Sequence, residues 1–127
     1  MFRGPVRVWA LENTIFENNR KLKLVVPCQN EKNKDELVYK EFIAYKFFEE
    51  LSDIHLKTQA VSLKIIELKN GKEIEHTMFA FLIEDDDKVA NRHEIKKYPS
   101  RRMSPLAVKD SSAINFTLFS YMIGNTD

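Results

Sequence analysis

The dipeptide Asn70-Gly71 constrains the fold of this 127-residue chain more than any other feature. Both residues tolerate positive φ, which a two-residue hairpin turn needs at its two central positions. Runs of strand character flank it, Lys57–Leu68 and Glu73–Glu84, so the dipeptide predicts an antiparallel hairpin. Within the second run, Met78-Phe79-Ala80-Phe81-Leu82-Ile83 is almost continuously apolar. A strand with apolar residues on both faces belongs in the middle of a sheet with cover on each side. The chain must therefore supply at least one more strand and a covering helix.

Both are legible upstream. Pro5-Val6-Arg7-Val8-Trp9 alternates apolar and basic residues as a half-buried strand does, and Leu22-Lys23-Leu24-Val25-Val26 reads as a second strand stopped by Pro27. A helix is predicted from Asp35 to Leu51. Asp35 and Glu36 suit its first turn, where carboxylates meet the positive end of the helix dipole. Val38, Phe42, Tyr45, Phe48 and Leu51 recur at helical spacing and form an apolar stripe, widened by Ile43 and Phe47. The expected class is α+β, an antiparallel sheet of four or five strands packed on one main helix.

Downstream of the hairpin, Glu84-Asp85-Asp86-Asp87 is an acidic cluster, and a short helix is expected over Lys88–His93. Lys96–Lys109 is basic and irregular. A last helix is expected over Ser111–Ile123, ended by Gly124. Its apolar positions, Ile114, Leu118, Tyr121 and Met122, need cover, which reads as a domain cut before its partner layer. The alternative is a terminal helix docked on the sheet.

Composition narrows the function classes. Twenty basic and nineteen acidic side chains nearly cancel, so no global charge steers the chain to nucleic acid or an anionic membrane. The single cysteine, Cys28, excludes an intrachain disulfide, and the histidines at 55, 76 and 93 lack zinc-site spacing. The start has no signal-peptide pattern, and no window has the roughly 18 apolar residues of a membrane span.

Three positions carry possible chemistry. Lys23 sits inside an apolar strand and either snorkels to the edge or points into a cleft. Glu41 lies beside the apolar stripe of the helix, where a carboxylate needs a cation. Lys23 is one supplier, while Lys40 or Lys46 would make Glu41 an ordinary rim residue. Glu36 is a weaker competitor because it fits the helix start. Ile123-Gly124-Asn125-Thr126-Asp127 is a small-residue turn that either holds Asp127 in a fixed pose or simply caps the helix. Strand lysine, helix glutamate, buried strand, acidic cluster, helix and aspartate follow one another in the order that kinase-fold phosphoryl transfer uses.

Four segments make this more specific: Lys21–Cys28, Val38–Lys46, Phe79–Asp85 and Phe119–Asp127. Together they resemble a bacterial protein family common in Bacteroidetes, itself similar to the CotH-type spore-coat kinases and HipA-like atypical kinases. The resemblance covers the chain from about Pro5 to its end. It implies a kinase-like N-lobe over residues 1–85, then a hinge and the start of a truncated C-lobe over residues 86–127.

By position, the resemblance implies Lys23 as the phosphate-binding lysine and Glu41 as its ion-pair partner. It implies Glu84 and Asp85 as the hinge that meets adenine, and Asp127 as the catalytic aspartate. The implied activity moves the γ-phosphate of ATP to a hydroxyl of a protein or small molecule, with Mg or Mn held mostly by residues not in this chain. The 127 residues alone are expected to be inactive in transfer. No glycine-rich phosphate loop is present, since Gly4 is the only glycine before Gly71. Two other readings stay open. One is a pseudokinase that binds nucleotide without transfer. The other is an α+β interaction module that meets an acidic partner through Arg92, Lys96, Lys97, Arg101, Arg102 and Lys109, a stretch with too little aromatic interleaving for nucleic acid.

Overall fold

A computed structural model describes residues 2–7, 14–19, 21–27, 34–98, 104 and 108–124. Its elements are β1 (Phe2–Arg7), β2 (Lys21–Val26), α1 (Lys34–Leu51), β3 (Thr58–Lys69), β4 (Lys72–Glu84), α2 (Asp86–Arg92) and α3 (Asp110–Met122). The four strands form one antiparallel sheet in the order β1-β2-β4-β3. The α+β class is as expected, with α1 inserted between β2 and β3 and packed on the sheet.

The hairpin turn has the predicted chemistry. Asn70 and Gly71 both have positive φ, 52° and 74°, and Lys69 faces Lys72 across them. β4 is an interior strand, bonded to β2 on one side and β3 on the other. That position explains its apolar run. Phe81 and Ile83 join Val25 of β2 and Val38 of α1 in the buried core, while Ala80 is buried on the opposite face. Each large side chain so buried contributes about 1.5–3 kcal/mol relative to exposure.

Aromatic contacts seat α1. Tyr39 and Phe42 meet Phe79 edge-on at 5.4 and 5.9 Å, and Phe42 and Tyr45 meet Phe81 at 5.5 and 5.8 Å. The stripe does not hold to its end. Phe47 and Leu51 are exposed, and Phe48 turns to the Phe119 ring of α3 at 5.0 Å. α3 has the expected position and ends at Met122, two residues before Gly124, whose φ of 70° turns the chain out of the helix. None of its residues is buried, and Tyr121 is 87% exposed.

The acidic cluster falls out differently from its sequence reading. The short helix begins at Asp86 rather than Lys88, because Asp85 caps it by accepting the Asp87 N–H at 3.0 Å. Asp86 and Asp87 then occupy the first turn, where the helix dipole favours negative charge. The outer end of the hairpin is solvated: Ile66, Leu68 and Ile74 are exposed, with Lys64–Glu75 and His76–Glu67 pairs across the strands at 2.7 and 3.3 Å.

Candidate functional site

Strand parity puts Lys23 on the same face of the sheet as Val25, which is the face that α1 covers. Val25 is sealed under the helix, whereas Lys23, two residues nearer the strand start, lies at the margin with its side chain 47% exposed. Its ammonium donates to Oδ1 of Asp86 at 3.3 Å. The same carboxylate takes a second lysine: Lys97 Nζ lies 2.8 Å from Oδ2 of Asp86 and 2.5 Å from Oδ1 of Asp87. The Lys97 hydrogen bond, reinforced by Lys23, pulls the Asp86 carboxyl down to about 2. Asp86 and Asp87 in turn push the Lys97 ammonium up.

Glu41 is half-buried on α1 and lines the same cavity as Asp86 and Lys97. Among the described residues the Lys23 ammonium pairs with Asp86, not with Glu41. The lysines that would make Glu41 an ordinary rim residue hold other carboxylates. Lys40 pairs with Glu36 at 2.6 Å and Lys46 with Glu49 at 2.8 Å. Glu36 is thereby a solvent-face residue, its carboxyl lowered by Lys40.

The cavity has a volume of about 540 Å³. Tyr45 and Phe48 of α1, Val89 and Ala90 of α2, and Phe116 and Phe119 of α3 give it mostly apolar walls. Its size and character are those of a small-molecule pocket, which needs apolar lining with a few placed polar groups.

Glu84 and Asp85 have structural duties at the end of β4. The Glu84 side chain is buried at 3% exposure, and Oε1 accepts from Arg92 at 2.5 Å while Oε2 accepts the Lys57 N–H at 3.2 Å. Arg92 also donates to the His55 carbonyl at 2.9 Å. This clasp ties β4, the α1–β3 loop and α2 together. The Glu84 N–H donates to the Lys57 carbonyl at 2.9 Å, and the Asp85 carbonyl accepts from Lys88 and Val89 at 3.0 and 3.4 Å. Those two backbone groups are therefore engaged within the fold.

Asp127 and the basic residues Arg101 and Arg102 lie outside the described residues. Of the rest of the basic stretch, Arg92 is held by Glu84 and Lys97 by Asp86 and Asp87. Among the described residues no group of three or more His, Cys, Asp or Glu side chains converges as a metal site would. The acidic cluster is divided between a clasp, a helix cap and two lysine-paired carboxylates, so it does not fit a divalent ion. No described helix is long and apolar enough to cross a membrane.

Asp86 and Lys97 stand in the sequence reading only as members of the acidic cluster and the basic stretch, and the structure pairs them with each other and with Lys23. The signal was a cap-competent aspartate followed by two more acids at a helix start, which aims Asp86 back toward the strand lysine. Compared with known protein families, curated proteins and solved structures, the chain matches none.

Proposed function

We propose that this chain is the nucleotide-binding part of a kinase-like phosphotransferase. One observation carries the reading: Glu41 from α1 and Asp86 from the start of α2 line a single apolar cavity, and Lys23 from β2 reaches that same Asp86 carboxylate at 3.3 Å. A strand lysine that binds phosphates, a helix glutamate that steadies it, and an apolar recess beside them are the parts that phosphoryl transfer in the kinase fold assembles.

In this reading the apolar walls receive the base of ATP, and Lys23 neutralises phosphate charge. Glu41, facing the same cavity, steadies the lysine once it leaves Asp86. The Glu84–Arg92 clasp holds the β4–α2 junction rigid, so the recess is preorganised. The acceptor hydroxyl would be oriented by Asp127. Any Mg or Mn ion on the phosphates comes with the nucleotide or from other residues, and no step is assigned to a metal held by the residues described.

A second reading, an interaction module without a nucleotide site, is favoured by α3, which leaves Phe116, Leu118 and Tyr121 exposed. Calorimetric titration of the chain with ATP and magnesium separates the two. Saturable binding weakened at least tenfold by Lys23→Met and by Glu41→Gln supports the nucleotide site. Absence of binding in the folded wild-type chain moves the assignment to the interaction module.

A further inference from the structure

We infer that Lys97 is a second phosphate ligand beside Lys23, and that Asp86 is a built-in occupant of this two-lysine subsite which a polyphosphate must displace. The inference rests on the nucleotide-site reading above and adds to it a residue and a control element.

The geometry is that of a bridged anion. Asp86 gives one carboxylate oxygen to each lysine, Oδ1 to Lys23 at 3.3 Å and Oδ2 to Lys97 at 2.8 Å. Two ammonium groups arriving from separate parts of the chain, a strand and the segment after α2, thus converge on one small anion. Lysine binds phosphate as a point charge with three rotatable donors, so two lysines that can share a carboxylate can share a phosphate oxygen set. A triphosphate brings more negative charge than Asp86 and more acceptor oxygens, so it outcompetes the carboxylate for both lysines.

Displacement is easy because every partner is wet. The side chains of Lys23, Lys97 and Asp86 are 47%, 44% and 53% exposed, and exposed pairs of this kind are weak. Asp86 also has somewhere to go: it stands in the first turn of α2, where the dipole and solvent stabilise its charge without a lysine. Asp87 remains on Lys97 at 2.5 Å and keeps that lysine near the site during the exchange. Asp86 therefore sets a threshold rather than a block, and removing its charge should tighten polyphosphate binding about three- to tenfold.

The test is calorimetric titration of the 127-residue chain with two probes, ATP with magnesium and inorganic tripolyphosphate. The variants are Asp86→Asn, Lys97→Gln, Lys23→Met and the Asp86→Asn/Lys23→Met double variant, each checked for folding by circular dichroism. Expected are a three- to tenfold gain for Asp86→Asn with both probes, a loss of similar size for Lys97→Gln, and no gain for Asp86→Asn once Lys23 is gone. A gain with ATP alone would show that Asp86 acts on the base or ribose and would overturn the inference. If wild type binds ATP, Lys23→Met abolishes binding, and Asp86→Asn and Lys97→Gln match wild type, the inference falls and the nucleotide site stands. If neither wild type nor Asp86→Asn binds either probe while folded, both fall.

Discussion

The Glu84 carboxylate and the Arg92 guanidinium meet at 2.5 Å across the β4–α2 junction, with the carboxylate buried and the guanidinium at its solvent side. Removing one partner from a buried pair leaves a charge without compensation, which costs about 3–5 kcal/mol when burial is complete. Here Arg92 is partly exposed and Glu84 keeps the Lys57 N–H, so Arg92→Ala should cost about 2–3 kcal/mol. Urea denaturation checks this through the midpoint. The double change Glu84→Gln/Arg92→Met should cost less than Arg92→Ala alone, since it leaves no buried charge.

Asp86 gives a prediction in pH. Its folded value, about 2, lies below the ordinary carboxyl value. Its pairing therefore stabilises the fold above about pH 4, and that contribution is lost as pH falls through about 2. With the side chain 53% exposed, the contribution stays under about 1 kcal/mol. Carbon-13 titration of the Asp86 carboxyl should show a midpoint well below the ordinary aspartate value of about 4. Lys97→Gln should raise it more than Lys23→Met, because the Lys97 hydrogen bond is the larger cause. An unshifted midpoint would remove the two-lysine bridge.

Much of the architecture was legible before any coordinates. Asn70-Gly71, the apolar run of β4 and the helical spacing of Val38, Phe42 and Tyr45 each state a local preference that agrees with the final packing. The acidic cluster was harder to read. Four consecutive carboxylates look alike in sequence, yet one is buried, one caps a helix and two face lysines. Their division depends on where α2 starts, a matter of one or two residues that capping geometry decides. Lys23 was recognisable as unusual because it interrupts an apolar strand. Its pairing with Asp86, 63 residues away, depends on register between β2 and β4 and on the turn into α2. Phe47 and Leu51 show the opposite failure. Phe47 lies about half a turn around the helix from buried Val38 and so faces away from the sheet, while Leu51 is exposed at the last residue of the helix.

The hairpin turn offers a clean backbone test. A Cβ at Gly71 meets no atom within 4 Å, so only its φ of 74° resists substitution. Gly71→Ala should cost about 1–2 kcal/mol, the penalty for an alanine in the left-handed region. Gly71→Asn should cost less, because asparagine tolerates that region. Thermal melts of the two variants would show the order, and equal losses would mean that side-chain crowding rather than backbone conformation governs the turn.

Phe81 and Phe119 separate the core from the margin of the cavity. Phe81 is fully buried among Val25, Val38 and Ile83, so Phe81→Ala should cost about 3–5 kcal/mol. Phe119 packs on Phe48 from a helix with no buried residue, so Phe119→Ala should cost about 1 kcal/mol, as an aromatic pair outside the core does. Denaturant midpoints measure both. Comparable losses would mean that α3 belongs to the same cooperative core.

The nucleotide site itself is tested most directly by labelling with an acyl phosphate of ATP. This mixed anhydride carries an acyl group at the end of its phosphate chain, and a lysine amine near that position attacks the acyl carbon and releases ATP. Tryptic peptides identify the acylated residue by mass. Lys23 should be the dominant site, with Lys97 second, and excess ATP should protect both while leaving surface lysines such as Lys64 unaffected. Labelling spread evenly over exposed lysines, with no protection by ATP, would contradict a phosphate-binding role for Lys23.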